Sequence, residues 1–186
     1  MRYVIVDLEA TCWENIRRPD RMEIIEIGAV HLASAMGPDT DEFGRFVRPI
    51  VEPTLSDFCT QLTSITQAEV DAAETFPTVF ADFLDWIGPE PFVLCSWGAY
   101  DLGQFRTDCQ RHQVPFPESF ERHLNLKKEF ARVFGIRPCG MAKALAHAGL
   151  TLKGTHHRGI DDARNIARLA ELILPQLEQT GFIEGL

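Results

Sequence analysis

The stretch Tyr3-Val4-Ile5-Val6-Asp7-Leu8-Glu9, near the start of the chain, decides the fold class. Its first four residues are apolar and mostly β-branched, which is typical of a buried strand. Successive side chains of a strand point to opposite faces, so Asp7 and Glu9 share one face while Leu8 points to the other. This spacing suits two carboxylates that bridge a metal ion. An isolated Asp-x-Glu also fits a strand end whose acids simply reach solvent.

Two further acidic positions lie later in the chain, at Asp101 and in the spacing His157-x-x-x-x-Asp162. An amphipathic segment with apolar residues at helical spacing follows from 160 to 174. Asp162 would project from the first turns of this helix, and His157 would lie on the loop before it. Asp161 and Asp162 equally fit N-terminal capping charges, and a loop His is often only solvated. Together, four carboxylates and one imidazole are the groups that metal-dependent phosphodiester hydrolysis needs.

The local sequences around these residues resemble the DEDDh family of 3′-to-5′ exonucleases. The matching stretches are Val4 to Thr11, Ser96 to Asp101 and His157 to Ala167. The segment Leu55 to Thr66 is similar to one subgroup, the exoribonucleases that trim histone messenger RNA stem-loops, small interfering RNAs and ribosomal RNA ends, together with their bacterial relatives. The resemblance covers the chain from Tyr3 to about residue 174.

The resemblance implies a ribonuclease H-like α/β fold, a mixed five-stranded sheet flanked by α-helices, in a single catalytic domain over residues 1–186. Hydrophobic periodicity predicts strands near 2–9, 22–33, 42–49, 92–96 and 123–126. It predicts helices near 55–61, 66–72, 76–87, 101–112, 127–135, 140–148 and 160–179. This alternation of strands and helices is typical of the α/β class.

The resemblance also implies a role for each site residue. Asp7, Glu9 and Asp162 would hold one Mg²⁺ or Mn²⁺ ion, and Asp7 and Asp101 would serve a second. His157 would be the general base that takes the proton of the attacking water, and nucleoside 5′-monophosphates would be released one at a time. Two hard ions about 4 Å apart stabilise both sides of an in-line displacement, and they prefer carboxylate oxygens. Asp161 would then be a neighbouring or solvent-facing residue.

Substrate contacts follow from the same resemblance. Leu8, Ala10 and Thr11 would meet the terminal nucleotide, and Leu62, Thr63 and Ile65 would form walls of a base pocket. Tyr100 could stack on a base, and His157 would also contact the substrate. Core packing and helix capping explain these residues equally well. Trp13 and Trp97 are assigned to the core, and His156 is a candidate phosphate contact.

The net charge of −9 is unusual for a protein that binds nucleic acid. Its distribution is uneven, because the segment 122–168 holds ten Lys and Arg against three Asp and Glu. A basic strip there could follow the backbone of a short single strand, and a mixed solvated surface is the alternative. A protein partner could supply substrate targeting.

At 186 residues with 45% hydrophobic content, the chain can bury a core of its own. The sequence contains no long apolar segment, signal peptide or lipidation signal, so we expect no membrane association and a cytoplasmic protein. Five widely spaced cysteines without a Cys-x-x-Cys pair favour reduced thiols.

The function predicted first is a 3′-to-5′ exoribonuclease acting on short or single-stranded RNA. A single-stranded DNA or proofreading exonuclease would use the same residues, because no residue that reads the 2′-hydroxyl can be identified from sequence. A regulatory protein without turnover on the same fold is a third hypothesis, against which the intact set of ligand residues argues.

Overall fold

The computed structural model describes residues 1–15, 19–35 and 41–185 and contains a five-stranded mixed sheet of order β3-β2-β1-β4-β5. The central strand β1 runs antiparallel to β2 and parallel to β4. At the two sides, β3 is antiparallel to β2 and β5 is parallel to β4. The strands are β1 (Arg2–Ala10), β2 (Ile24–Leu32), β3 (Glu42–Phe46), β4 (Phe92–Ser96) and β5 (His123–Asn125). The predicted fold class is confirmed.

Seven α-helices are present among the described residues, close to the predicted positions. They are α1 (Asp57–Thr63), α2 (Gln67–Asp71), α3 (Phe76–Ile87), α4 (Tyr100–Arg111), α5 (Leu126–Phe134), α6 (Met141–His147) and α7 (Gly159–Gln179). Short 3₁₀ turns lie at Glu118–Glu121 and Ile183–Gly185. No helix in the described part of the chain is both long enough and apolar enough to cross a bilayer.

The apolar half of β1 is buried on both faces because helices cover the sheet on both sides. Tyr3 and Ile5 point into the core formed with α5, α6 and α7. Val4 and Val6 point into the opposite core, which is rich in phenylalanine from α3 and α4. The alternation of β1 therefore directs its odd-numbered residues towards α7, and this determines where its two carboxylates lie.

The first turn of α7 lies directly on β2. A Cβ atom added to Gly28 would be 2.0 Å from the carbonyl carbon of Gly159, so the two backbones touch without a side chain between them. Gly44, the register partner of Gly28 on β3, has room for a methyl group at 3.4 Å from the Cβ of Ile160. The contact between Gly28 and Gly159 brings the beginning of α7 next to the end of β1.

The segment that carries α1 is fastened to the chain just after β1. The hydroxyl of Ser56 donates to the carbonyl of Cys12 at 2.6 Å and accepts the amide N–H of Cys59 at 3.0 Å. Ser56 is the N-cap of α1, so one side chain both starts the helix and links it to the sheet.

Candidate active site

Three carboxylates from two elements converge at the end of β1. Asp7 and Glu9 point to the α7 face of the sheet, and Asp162 projects from the first turn of α7. One oxygen from each of the three lies within 4.8 Å of the others. Glu9 and Asp162 are almost completely buried. The strand periodicity predicted the shared face, and the contact between α7 and β2 supplies the third carboxylate.

Asp101 approaches the same place from the other side of β1. It lies in the first turn of α4 and is 5% exposed. One carboxylate oxygen accepts the amide N–H of Leu8 at 3.1 Å. This contact fixes the Asp101 carboxylate next to the backbone between Asp7 and Glu9.

His157 lies at the rim with its backbone in the left-handed region, at a φ of 64°. This conformation is uncommon for a residue other than glycine. Its amide N–H donates to Asp162 at 2.9 Å, and its ring stacks on the ring of His156 at 4.0 Å. His156 in turn lies 2.8 Å from the Asp162 carboxylate through Nδ1. The strained turn thus places both imidazoles beside Asp162.

Asp161 has a different environment from its neighbour Asp162. Its carboxylate accepts the amide N–H of Thr155 at 2.8 Å and pairs with Arg164. It therefore holds the loop that leads into α7.

Burial raises the pKa values of Asp7, Glu9 and Asp101, and repulsion from neighbouring carboxylates adds to the rise for Asp7 and Glu9. Burial is the largest cause for Asp7, followed by the charges of Asp101, Glu9 and Asp162, and its pKa lies well above the ordinary value. Burial and the neighbouring charges of Asp162 and Glu26 raise the pKa of Glu9 to about 8. Burial also raises the pKa of Asp101 to about 6. When ionised, these three carboxylates are therefore buried close together without a positive charge that would lower their pKa values.

The site fits hard divalent cations. All of its four carboxylates offer oxygen, the donor that Mg²⁺ and Mn²⁺ prefer. In the described parts of the chain, no Lys or Arg side chain forms an ion pair with Asp7, Glu9, Asp101 or Asp162. A bound cation would therefore offset the repulsion among these four carboxylates.

The carboxylates line an open cleft at the carboxyl end of β1, and the cleft contains residues that the sequence analysis did not assign to it. Trp97, predicted to be core, lies half-buried in the cleft wall and donates its indole N–H to the carbonyl of Cys139 at 3.0 Å. Its place in the stretch that leads to Asp101 could have indicated this position. Met141 gave no such signal. The lining residues are Asp7, Leu8, Glu9, Trp97, Tyr100, Asp101, Gly140, Met141, His156, His157 and Asp162.

The predicted substrate contacts differ in their surroundings. Tyr100 is 47% exposed in the cleft wall, and Leu8 lines the cleft although it is mostly buried. Thr63 and Ile65 are completely buried, and Leu62 is half-buried at the end of α1.

Thr63 donates its hydroxyl to the carbonyl of Cys59 at 2.9 Å and accepts the amide N–H of Ile65. Thr11 accepts the amide N–H of Glu23, and Ala10 is buried beside it. These bonds give Thr11, Thr63 and Ile65 structural roles, and their contact with a substrate stays a prediction.

The basic residues of the segment 122–168 do not form one strip. Arg122 donates to the carbonyl of Ile183, before β5 and therefore at the opposite end of the parallel strands from the carboxylates. Arg132 pairs with Glu129 and lies over the ring of Phe182. The prediction of a continuous basic strip beside His157 is wrong for these two residues, because the fold separates neighbours in sequence.

Carboxylates at the end of the central strand of this mixed sheet define the class of the protein, an exonuclease-type domain with a ribonuclease H-like fold. The family model RNase_T, described as Exonuclease, matches residues 4–170. The chain belongs to this exonuclease family. The fold implies that its site depends on divalent metal ions.

The chain is similar to several characterised proteins. It is 33% identical over 192 residues to ERI1 exoribonuclease 2 of Danio rerio, covering 92% of this chain and 34% of that protein. It is 34% identical over 180 residues to 3′-5′ exoribonuclease 1 of Homo sapiens, covering 91% of this chain and 51% of the relative. The chain thus spans about a third to a half of these relatives.

One solved structure matches along nearly the whole of both chains. The nuclease domain of 3′hExo, a DEDDh family member bound to rAMP, has a TM-score of 0.86 and 32% identity. The match covers 97% of this chain and 92% of that domain.

Proposed function

We propose that the chain is a metal-dependent 3′-to-5′ exoribonuclease that releases nucleoside 5′-monophosphates from short or single-stranded RNA. The observation that carries the proposal is the convergence of Asp7, Glu9 and Asp162, with Asp101 and His157 beside them. The names of the exoribonuclease relatives and the rAMP-bound domain support the direction and the RNA substrate.

Asp7, Glu9 and Asp162 would hold one Mg²⁺ or Mn²⁺ ion, and Asp7 and Asp101 would hold a second. When bound, such ions supply Lewis acidity and lower the pKa of a coordinated water. The chain's own contribution is to hold four carboxylates rigidly. The amide N–H of Leu8 fixes Asp101, while the backbone of His157 fixes Asp162.

His157 would accept the proton of the attacking water. Burial is the largest cause that lowers the pKa of its imidazole, and the adjacent His156 lowers it further. A lowered pKa keeps the ring neutral near pH 7, which is the state that accepts a proton. His157 is only half-buried at the cleft rim, so it can reach a water held between the carboxylates.

The cleft suits a single strand better than a duplex. It is open on one side and presents the aromatic surfaces of Tyr100 and Trp97 next to the carboxylates. Aromatic side chains stack on unpaired bases without regard to sequence. The net charge of −9 disfavours wide contact with a duplex, which normally depends on basic surface.

We also propose a cytoplasmic location and a protein partner that targets the substrate. Support for the location comes from five cysteines that are all unpaired, as expected in a reducing compartment. Cell fractionation tests the location, and affinity purification from the fractionated extract tests the partner.

The deciding experiment follows three 5′-labelled strands on gels: an RNA, the same RNA with a 3′-phosphate, and the matching DNA. Each is incubated with Mg²⁺, Mn²⁺ or EDTA. We expect a metal-dependent ladder that shortens the RNA from its free 3′ end. Faster cleavage of DNA would instead assign the protein to the single-stranded DNA exonucleases. No cleavage of any strand with either metal would contradict the proposed function.

A further inference from the structure

Glu26 of β2 is a buried carboxylate beside the site, and the mechanism above gives it no role. It is 2% exposed. It is the register partner of Glu9 in the antiparallel β1–β2 pair, so both side chains point to the α7 face. Two like charges directly opposite each other destabilise a sheet. Glu26 therefore needs favourable contacts that offset its repulsion from Glu9.

The beginning of α7 provides those contacts. Glu26 accepts the amide N–H of Gly159 at 2.9 Å and pairs with Nε of Arg158 at 3.2 Å. Arg158 is the N-cap residue of α7, and its side chain makes no capping bond to the helix. The first N–H groups of a helix need an acceptor from outside the helix. Glu26 supplies one from the neighbouring strand, with a charge that the helix dipole favours.

Arg158 is held on its other side by an aromatic ring. Its guanidinium lies 5.0 Å from the ring centroid of Phe46 at the end of β3. The Arg158 side chain thus connects β2 and β3 to the loop that carries His157. The short loop before α7 is fastened to the sheet at its last residue.

These contacts determine where two site residues lie. Asp162 is one turn after Gly159, and His157 is two residues before it. A Cβ atom on Gly159 would lie 3.0 Å from the carbonyl oxygen of Asp7 and 3.3 Å from Cγ of Glu26, so the helix end fits tightly between β1 and β2. A small shift of Gly159 would move Asp162 away from Asp7.

We propose that Glu26 is a positioning residue of the metal site: it caps α7 from β2 and so holds Asp162 against Asp7 and Glu9. The inference rests on the proposed function, because the site that Glu26 organises is the metal site of that reaction. It assigns Glu26 no contact with the metal or the substrate.

Two substitutions separate positioning from a general effect of charge. Glu26→Ala removes both the acceptor for Gly159 and the ion pair with Arg158. Glu26→Gln removes the same charge but keeps an amide oxygen that can accept the N–H of Gly159. A pure charge effect would make the two variants equal, whereas positioning makes Glu26→Gln the milder change.

Glu42→Ala is the matched control. Glu42 also links the sheet to α7, since Nε of Arg164 donates to it at 3.0 Å. This second Glu–Arg contact is exposed, and Glu42 does not line the cleft. Its loss should therefore leave the metal site intact.

The experiment measures Mn²⁺ binding to the whole chain by isothermal titration calorimetry, with thermal unfolding in EDTA as the check of folding. We expect the Mn²⁺ Kd to rise about 10- to 100-fold in Glu26→Ala, as is usual when a residue supporting metal ligands is removed. Glu26→Gln should show a smaller rise, and Glu42→Ala none.

Equal rises in the two Glu26 variants, or unchanged Kd values in both, would overturn the proposal. If Glu26→Ala does not fold, Glu26→Asp replaces it, because the shorter side chain keeps the charge but withdraws the acceptor from Gly159, and a wild-type Kd in folded Glu26→Asp would overturn the proposal. RNA hydrolysis by the unsubstituted chain is measured separately. A wild type that binds Mn²⁺ without cleaving RNA would contradict the proposed function and leave the Kd series decisive for Glu26.

Discussion

Along β1, the segment from Tyr3 to Val6 is apolar and completely buried between two helical layers, whereas the segment from Asp7 to Ala10 carries two carboxylates next to Asp101 and Asp162. The first half stabilises the fold by removing apolar surface from water. The second half places like charges in a buried environment, which raises the pKa values of Asp7 and Glu9. One strand therefore contains both a stabilising core and a destabilising site. Truncating an apolar residue of the first half should lower the free energy of unfolding, whereas removing a carboxylate of the second half should raise it in the metal-free protein.

The largest effect is expected from Asp7→Asn, which keeps the shape of the side chain and removes its charge. RNA hydrolysis should fall about 1000-fold or more, corresponding to several kcal/mol of lost stabilisation of the transition state. The metal-free variant should also melt at a higher temperature, by about 2–4 °C per kcal/mol of relieved repulsion. Cleavage assays and melting curves in EDTA measure both. Asp82→Asn, at an exposed ion pair with Arg45, should change neither. Normal cleavage by Asp7→Asn would show that the proposed site is wrong.

His157→Ala tests the base at the rim of the acidic half. For the wild type, the rate should rise with pH as the imidazole loses its proton, with a midpoint below the ordinary 6.5 because burial lowers the pKa. The variant should lose this limb and about 100-fold or more in rate. The pH dependence of single-turnover hydrolysis gives both values, and His147→Ala, at an exposed position of α6, is the control. An unchanged profile would assign the base elsewhere.

Gly28→Ala disturbs the contact between β2 and α7 beside Asp7, the residue of β1 at which the acidic half begins. Its new methyl group would lie 2.0 Å from the carbonyl carbon of Gly159, so the beginning of α7 must move. Displacement of Asp162 by about 1 Å should lower the rate about 100-fold. Gly44→Ala, the register partner with 3.4 Å of room, should keep wild-type activity. Equal activities of the two variants would contradict the requirement for close contact.

Ile5→Ala probes the apolar half. Ile5 is completely buried against the α7 layer, so its truncation should destabilise the fold by about 2–5 kcal/mol. Ile5→Val should lower the free energy of unfolding by only about 0.5–1.5 kcal/mol. Urea unfolding measures both values. The rate of hydrolysis below the unfolding transition should be unchanged. A fall in rate larger than the unfolded fraction explains would contradict the separation of β1 into a stabilising half and a catalytic half.

The metal-free stability should also depend on pH. The pKa of Glu9 is about 8 in the folded chain and 4.5 as its ordinary value, so the folded state binds more protons between these values. Its contribution is complete below about pH 4.5 and is lost as the pH rises through about 8. In EDTA, the melting temperature should therefore fall over this range, and Glu9→Gln should reduce the slope. A rising melting temperature would contradict the direction of the shift.

Sequence periodicity predicted the five strands and the shared face of Asp7 and Glu9, because both depend on neighbouring residues of one strand. It also placed Asp162 in the first turn of α7 and His157 before that helix, since both positions follow from local spacing. The segment 122–168 shows the limit of such reasoning. Its basic residues are close in sequence, but Arg122 lies at the end of the parallel strands opposite the carboxylates.

Residues of the site that act through packing could not be identified in the same way. Glu26 offered one signal, a charged residue inside the apolar run Ile24 to Ile27, but its partner Gly159 is 133 residues away. Thr63 and Ile65 show the reverse, because these predicted pocket residues are completely buried at the end of α1 and just after it.

The chemistry of the site could be predicted from the sequence: which carboxylates and which imidazole are present, and on which strand face or helix turn each lies. Local periodicity suffices for the faces and turns because side-chain direction repeats every two residues in a strand and every 3.6 in a helix. The resemblance to the DEDDh family selected these residues among the other acids and histidines of the chain. The folded structure was needed to find that α7 lies on β2 through Gly28 and Gly159, and that Glu26 accepts the amide N–H of Gly159 there. Those contacts join distant parts of the chain, and their distances depend on how whole elements pack.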